Sequence, residues 1–281
     1  MLNTYISSKM WYLESNFAPN NVHISKITSA IGSFLGRGLP ARIPMQQLTR
    51  CREHGGLNLQ LPTFKCKALL INRHLRKISH STIPSSANHF LPPFSIPCLQ
   101  QIRQQIQLLP PYILQNPSSE QIHCFFKEQT EQPKVERNHP ETNWKRIWKN
   151  ITAKQLSSNQ RSELYLFVNG KVEHRRLMHI IRRADGPNCL YCNAVEETIV
   201  HKYSECPRIA EAWRLIQQKL TVTLGGWQRP SFDELLRPTL DNTEHSIRIQ
   251  ILKTTIIYIT FVNNVNRNVD VDALEWLLSV E

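Results

Sequence analysis

The chain has 281 residues, and its 34 Lys and Arg against 22 Asp and Glu give a formal net charge of +12. A hydrophobic content of 41% excludes wholesale disorder, and no apolar stretch near the C-terminus approaches the roughly 20 residues of a membrane helix. Because a secretory signal is also missing, we expect an intracellular protein, in the nucleus or cytoplasm, whose seven cysteines are free thiols or metal ligands.

Apolar spacing predicts helices in the N-terminal part. Apolar residues recur at helical intervals from Ile27 to Leu35, and Gly36 supplies a stop. The paired glycines at 55–56 predict a tight turn before a second helix over 63–77. One stripe of that helix is apolar and another is basic. We expect the basic side chains to contact phosphates: Lys65, Lys67, Arg73, Arg76 and Lys77.

Proline and serine dominate the next segment. Residues 79–97 contain four prolines and five serines, and Pro110, Pro111 and Pro117 interrupt the chain again. We therefore interpret 79–143 as an irregular connector, with a domain boundary near residue 140.

Helices are also predicted beyond this boundary. Trp144 and Trp148 stand one helical turn apart, and Ser158 is predicted to cap a helix that ends near Phe167. The segment 245–268 stays ambiguous, because Ile, Thr and Val dominate it and its alternation is partly typical of a strand.

The segment 173–183 is predicted to be an amphipathic helix. On a helical wheel Leu177, Ile180 and Ile181 share one arc, and the opposite arc carries only basic side chains. Crowded positive charges repel one another unless an anion neutralises them, which favours phosphate contact over a merely solvated face. The residues assigned to this contact are Arg175, Arg176, Arg182 and Arg183.

The distribution of charge supports a polyanionic partner. Residues 1–115 hold 12 basic and 2 acidic side chains, and residues 144–183 hold 10 and 2. Two such blocks favour nucleic acid, although a basic protein without a specific partner has the same totals. All five aspartates follow residue 184, so the sequence does not supply the carboxylate cluster of a two-metal polymerase or nuclease.

A cysteine and histidine cluster is the strongest local motif. Cys189, Cys192, His201 and Cys206 form the pattern C-x2-C-x8-H-x4-C, and Pro207 predicts a helix start directly after it. Two thiolates on a tight turn can face one ion while the later His and Cys close the other side, as tetrahedral zinc requires. Four protein ligands close the site, so we expect one structural Zn2+. The alternative is a set of incidental buried thiols.

Two strings of the sequence resemble a known family. They are RIPMQQLTRCREHGGLNLQLPTFKCKALLINRHL (42–75) and CLYCNAVEETIVHKYSECPRIAEAW (189–213). Both resemble the C-terminal part of reverse transcriptases from non-LTR (LINE-type) retrotransposons. The second is similar to their reverse transcriptase zinc-binding domain, with Glu-Thr before His201 and Cys-Pro leading to a helix that carries Trp213. The resemblance covers most of residues 1–215.

The residue patterns, together with the resemblance over residues 1–215, predict a mainly α protein with four parts. These are a helical thumb-like region (1–78), the irregular connector (79–143), a small helical zinc-knuckle domain (144–225) and a C-terminal helical tail (226–281). Thumb and knuckle imply RNA and/or DNA as the partner, with no small-molecule substrate. The family's catalytic aspartate motif has no counterpart here, so we expect no enzymatic activity. The alternatives are a protein-interaction module, an enzyme fragment completed by a separate palm, and a non-functional truncated retroelement product.

Overall fold

The structure is a computed structural model, and the chain is mostly helical. Within the described residues, the only strand-like pairing is an isolated antiparallel bridge between Asn188 and Glu196. The predicted mainly α fold is therefore confirmed. The described residues are 20–35, 42–79, 103–193, 195–225, 229–264 and 271–280.

The chain divides into two compact units between Pro133 and Lys134. Residues 1–133 are named unit 1 and residues 134–281 unit 2. The division lies a few residues before the boundary expected near 140.

Unit 1 contains both helices that were predicted for the N-terminal part. The first runs from Asn21 to Leu35, and its expected stop at Gly36 lies outside the described residues. The second begins at Pro62, because proline suits the first turn of a helix, where the backbone N–H has no helical partner. Besides a short helical stretch at 103–107, the helices in the described part of unit 1 are α1 (Asn21–Leu35), α2 (Met45–Thr49), α3 (Pro62–Ser79), α4 (Pro111–Gln115) and α5 (Ser119–Glu128), with a 3-10 turn at Arg52–His54.

The paired glycines form the tight turn that the sequence predicts. Gly55 has a φ of +73°, in the left-handed region that favours glycine. A Cβ on Gly56 would lie 2.0 Å from the Arg50 carbonyl oxygen, so a larger residue does not fit there. The Leu59 N–H then donates to the Leu48 carbonyl at 3.0 Å, which returns the chain alongside α2.

The core of unit 1 forms where α5 packs against α3. Ala68 and Ile71 of α3 are buried in one cluster with Ile122 and Phe126 of α5. Ser118 caps α5 by accepting a hydrogen bond from the Gln121 N–H. α5 is thus a structural partner of the basic helix α3.

The segment 79–143 was expected to be an irregular connector, but its described residues are largely helical. Residues 103–107 are helical, and α4 and α5 follow. Pro110 and Pro111, which suggested irregular chain, occupy the N-cap and first position of α4, where a missing N–H costs little.

Unit 2 contains the remaining predicted helices. α8 is capped by Ser157 and not by the predicted Ser158, because Ser157 and Gln160 form a reciprocal capping box. The helices of unit 2 are α6 (Lys134–Asn138), α7 (Trp144–Ile151), α8 (Ser158–Val168), α9 (Arg175–Ile180), α10 (Ala210–Leu224), α11 (Phe232–Leu236), α12 (His245–Asn264) and α13 (Val271–Val280), with a π turn at His201–Glu205 and a 3-10 turn at Pro207–Ile209.

Aromatic side chains fill the core of unit 2. Trp144 stacks on Trp148 with 5.5 Å between ring centroids, as their one-turn spacing allows. Phe167 meets Tyr203 edge to face at 5.2 Å, and Tyr258 lies against Tyr203 from α12. Such geometries add to the gain from burying the rings.

The described residues within 226–281 contribute to this core and are not a separate tail. α12 packs against α8, α10, α13 and the π turn, and Leu252, Tyr258 and Ile259 are fully buried. The ambiguous segment 245–268 is therefore helical over its first twenty residues. Its β-branched residues lower helix propensity by only tenths of a kcal/mol each, and burial on several sides outweighs this.

Candidate metal centre

The first two ligands of the predicted cluster lie on a tight hairpin. The Asn188–Glu196 bridge closes it, and the Cys189 N–H donates to the Val195 carbonyl at 3.0 Å. Asn193 adopts a φ of +51°, which short polar residues tolerate, and its N–H donates back to the Cys189 carbonyl. The hairpin places Cys189 and Cys192 on one turn.

The second two ligands flank the π turn. His201 opens it, and the Thr198 hydroxyl accepts a hydrogen bond from the His201 N–H at 3.1 Å. The Cys206 N–H donates to the His201 carbonyl at 2.9 Å, which folds Cys206 back towards His201. Pro207 then begins the 3-10 turn that leads into α10, so the predicted helix start after Cys206 is confirmed.

The four ligand atoms converge. The three sulfur atoms and the imidazole nitrogen all lie within 4.8 Å of one another. Cys189 Sγ is 3.9 Å from Cys206 Sγ, and Cys192 Sγ is 3.4 Å from His201 Nε2. Cys189, His201 and Cys206 are buried and Cys192 is half-buried. This group, predicted from its spacing, could hold a metal ion.

The remaining described cysteines do not join this group. Cys51, Cys66 and Cys124 lie in unit 1 and are not joined in disulfides. Cys98 lies outside the described residues.

Burial shapes the chemistry of the thiols. It raises the pKa of the Cys189 thiol well above its usual range, and the neighbouring Cys206 thiol adds to this effect. A cation is what favours the thiolate form in such surroundings, so metal binding here must displace protons.

A polar network from α12 holds the π turn. The Tyr203 hydroxyl donates to Asn263 Oδ1 at 2.7 Å, and Lys202 Nζ donates to the same oxygen at 3.0 Å. The Tyr258 hydroxyl donates to the Tyr203 carbonyl at 2.6 Å. Because Lys202 and Tyr203 follow His201 directly, α12 positions the histidine ligand.

A small cavity of about 20 Å³ adjoins the cluster, with Cys189, Cys206 and Lys202 in its wall. The Arg208 guanidinium lies over the Tyr191 ring, 4.0 Å from its centroid. The cavity has room for about one water molecule and is too small for an organic ligand.

The basic segment 173–183 differs from its prediction. The helix α9 covers only Arg175–Ile180, because Arg182 takes a φ of +57° that ends it. Ile180 and Ile181 are 66% and 50% exposed, so the expected apolar arc does not pack into the core.

The four arginines of this segment lie in different surroundings. Arg176 Nε forms an ion pair with Glu196 Oε1 at 3.5 Å, and Arg175 is half-buried. Arg182 and Arg183 are exposed, and no described acidic side chain lies within ion-pair distance of them.

The other predicted basic residues lie on α3, in unit 1. Lys67 and Arg76 are exposed, and Lys65 and Arg73 are half-buried. The side chain of Lys77 is outside the described part of the structure. The residues predicted to contact phosphates therefore lie in two units.

Sequence reasoning missed the residues that support the ligands. Glu197 is only 5% exposed although it is acidic, and Arg208 has a buried Nη2 without a hydrogen-bond partner in the described structure. The Glu-Thr pair before His201 is the one sequence signal for them: Thr198 accepts a hydrogen bond from the His201 N–H, and Glu197 accepts one from the Arg175 N–H, 22 residues away.

The sequence matches no protein-family model, and a search of curated proteins finds no match either. In the part of the chain that the structure describes, no helix combines the length and apolarity needed to cross a bilayer.

Proposed function

We propose that the chain is a non-catalytic nucleic-acid-binding fragment with one structural zinc ion, related to the C-terminal part of non-LTR retrotransposon reverse transcriptases. The observation that carries this proposal is the convergence of Cys189, Cys192, His201 and Cys206 within 4.8 Å. The pattern that resembles the family's zinc-binding domain is also the pattern that folds into a cluster.

The chemistry of the ligands favours zinc. Three thiolates and one imidazole form a soft donor set, which suits Zn2+ better than Mg2+ or Ca2+. Zn–S bonds of about 2.3 Å in a tetrahedron separate two sulfurs by about 3.8 Å. The 3.9 Å between Cys189 Sγ and Cys206 Sγ fits this separation. Four protein ligands leave no open position for a substrate, which supports a structural role.

The charge favours nucleic acid as the partner. The exposed Arg182 and Arg183 lie just after the C-cap of α9 and have no acidic ion-pair partner in the described structure. Guanidinium groups suit phosphate contacts, which position a backbone and carry little sequence information. We propose that these arginines, with Arg175, Arg176 and the basic side chains of α3, contact the phosphates of RNA or DNA. Cysteine ligands that are not joined in disulfides also favour an intracellular location.

The metal part of the proposal is tested by metal analysis of the purified chain. Mass spectrometry under native conditions is expected to find one zinc per chain. Cys189→Ser is expected to lose the zinc and the helical order of residues 185–220, whereas Cys124→Ser, an exposed thiol of unit 1, is expected to keep both. A full equivalent of zinc in Cys189→Ser would refute the ligand assignment.

The nucleic-acid part is tested by salt-titrated binding to single-stranded and duplex DNA and RNA. Changing Arg175, Arg176, Arg182 and Arg183 to Gln is expected to lower the slope of log affinity against log salt by two or more, since each phosphate contact contributes roughly 0.7 to 0.9. A control with equal charge loss changes exposed basic residues elsewhere in unit 2: Lys145, Lys149, Lys154 and Arg229. If the salt slope falls equally in both variants, the arginine segment is not a specific phosphate-binding site and this part of the proposal is wrong.

Exposed apolar side chains support a second candidate, a protein-interaction module. Ile180 is 66% exposed and Leu190 on the metal hairpin is 62% exposed. Binding through these side chains would depend weakly on salt, which distinguishes it from phosphate contact.

A further inference from the structure

Glu197 joins the metal hairpin to the basic helix α9. Its carboxylate is buried, and Oε1 accepts a hydrogen bond from the Arg175 N–H at 2.7 Å. Its carbonyl accepts a second from the Arg176 N–H at 3.2 Å, and its own N–H donates to the Pro187 carbonyl at 2.8 Å. One residue therefore binds the first turn of α9 on one side and the base of the hairpin on the other.

Lys202 forms a second connection between the same two parts. It follows the ligand His201, and its Nζ donates to the Glu173 carbonyl at 2.7 Å. Glu173 precedes His174, the N-cap of α9. Two residues near the ligands therefore bind the start of α9. Glu197 lies in sequence between Cys192 and His201, and Lys202 directly follows His201.

α9 depends on such contacts for its position. It has six residues, and an isolated helix of this length is not stable in water. Ile180 is exposed, so apolar packing at its C-terminal end is weak. The N-terminal hydrogen bonds to Glu197 also place a carboxylate at the positive end of the helix, which stabilises it further.

We infer that metal occupancy of the cluster controls polyanion binding by the arginine segment, and that Glu197 is the positioning residue that couples them. With the metal bound, the hairpin and the π turn are fixed against each other, and Glu197 and Lys202 hold α9 and the arginine segment that continues from it in one position. Without it, the two ligand pairs separate, the contacts to α9 weaken and the arginine segment loses this position. This inference rests on the proposed function and adds that the metal regulates nucleic-acid binding.

If zinc binding strengthens oligonucleotide binding, oligonucleotide binding must strengthen zinc binding by the same factor, and both effects can be measured on the full chain. The affinity for a mixed-sequence single-stranded DNA oligonucleotide is measured with and without zinc, and the zinc affinity is measured with and without the oligonucleotide. We expect zinc to raise the oligonucleotide affinity roughly tenfold, and the oligonucleotide to raise the zinc affinity by the same factor.

Variants of Glu197 locate the coupling. The coupling factor is the ratio of the oligonucleotide affinities with and without zinc. In Glu197→Ala this factor is expected to fall close to one, while the chain still binds one zinc and still binds the oligonucleotide in a salt-dependent way. Glu197→Gln keeps an oxygen acceptor for the Arg175 N–H and is expected to restore most of the factor. Glu205→Ala removes an exposed carboxylate beside Cys206 and is expected to leave the factor unchanged.

Hydrogen exchange on the unmutated chain makes the result independent of how well the variants fold. When zinc is removed by a chelator, residues 173–183 are expected to lose their protection against hydrogen exchange, whereas α8 is expected to keep its protection. A coupling factor of one in the unmutated chain, or an unchanged factor in Glu197→Ala, would overturn the inference. Loss of protection in α8 as well would also overturn it, because the coupling would then be global unfolding. Absence of zinc or of any oligonucleotide binding would instead refute the proposed function.

Discussion

The Tyr258 hydroxyl donates a 2.6 Å hydrogen bond to the Tyr203 backbone carbonyl, and both residues are fully buried. Tyr258→Phe would leave that carbonyl without this donor, so we expect unit 2 to lose about 1–3 kcal/mol of unfolding free energy. Urea unfolding followed by tryptophan fluorescence measures this, because five of the six tryptophans lie in unit 2. Tyr112→Phe, at a 63% exposed position in unit 1, is the control and should change nothing.

The buried indole of Trp148 has one acidic partner, since its Nε1–H donates to Glu136 Oε1 at 2.7 Å. Glu136→Ala leaves the indole N–H unpaired, and we expect a loss of about 1–3 kcal/mol in the same unfolding experiment. Glu136→Gln keeps a carbonyl acceptor and should lose clearly less. Equal losses in the two variants would show that the charge, and not the hydrogen bond, stabilises this contact.

The turn at Gly56 allows no side chain. Because a Cβ there would lie 2.0 Å from the Arg50 carbonyl oxygen, Gly56→Ala must displace the backbone between α2 and α3. We expect it to destabilise unit 1 by about 2 kcal/mol or more, measured as faster hydrogen exchange in α3. Gly186→Ala, where a Cβ has open space, should change stability by less than about 0.5 kcal/mol. A stable Gly56→Ala would mean that the turn relaxes freely.

Acid should destabilise unit 1 through His123. Burial, reinforced by the charges of Lys65 and Lys127, lowers the pKa of His123 from 6.5 to about 4. The unfolded chain therefore takes up this proton near pH 6.5 while the folded chain resists it, so stability falls as the pH drops from 6.5 to 4. The loss is up to about 3 kcal/mol.

His123→Leu tests this source of acid sensitivity. The buried Nε2 of His123 has no hydrogen-bond partner among the described residues, so its removal should cost little at pH 7. Between pH 7 and pH 5, the protection factor of α5 against hydrogen exchange, which corrects for the intrinsic exchange rate at each pH, should fall much less in His123→Leu than in the unmutated chain. An equal fall would assign the acid sensitivity to other groups.

The parts of the fold that the sequence predicts are those with a local signal. α3 follows from its apolar stripe, the turn from Gly55-Gly56, and the ligand cluster from the spacing of its Cys and His residues. Each of these patterns lies within some twenty residues, so no knowledge of distant contacts is needed.

The parts that the sequence misses depend on distant partners. α5 lies among prolines and glutamines, and its buried Phe126 makes sense only with α3 beside it. The helical wheel of 173–183 assumes a continuous helix, but the chain turns at Arg182. Glutamate is usually a surface residue, and only the fold shows that Glu197 is buried and accepts a hydrogen bond from the first N–H of α9.

The bonds from α12 to the π turn also set an order of events during protein synthesis. They join residues 55 and 60 positions apart, from Tyr203 to Tyr258 and to Asn263. At roughly 5–20 residues per second, the ribosome needs about 3–12 seconds to reach Tyr258 and Asn263 after it has made Tyr203. For that interval the last two ligands lack the helix that positions them, so a nascent chain stalled before Tyr258 would expose its thiols to oxidation and to competing metals.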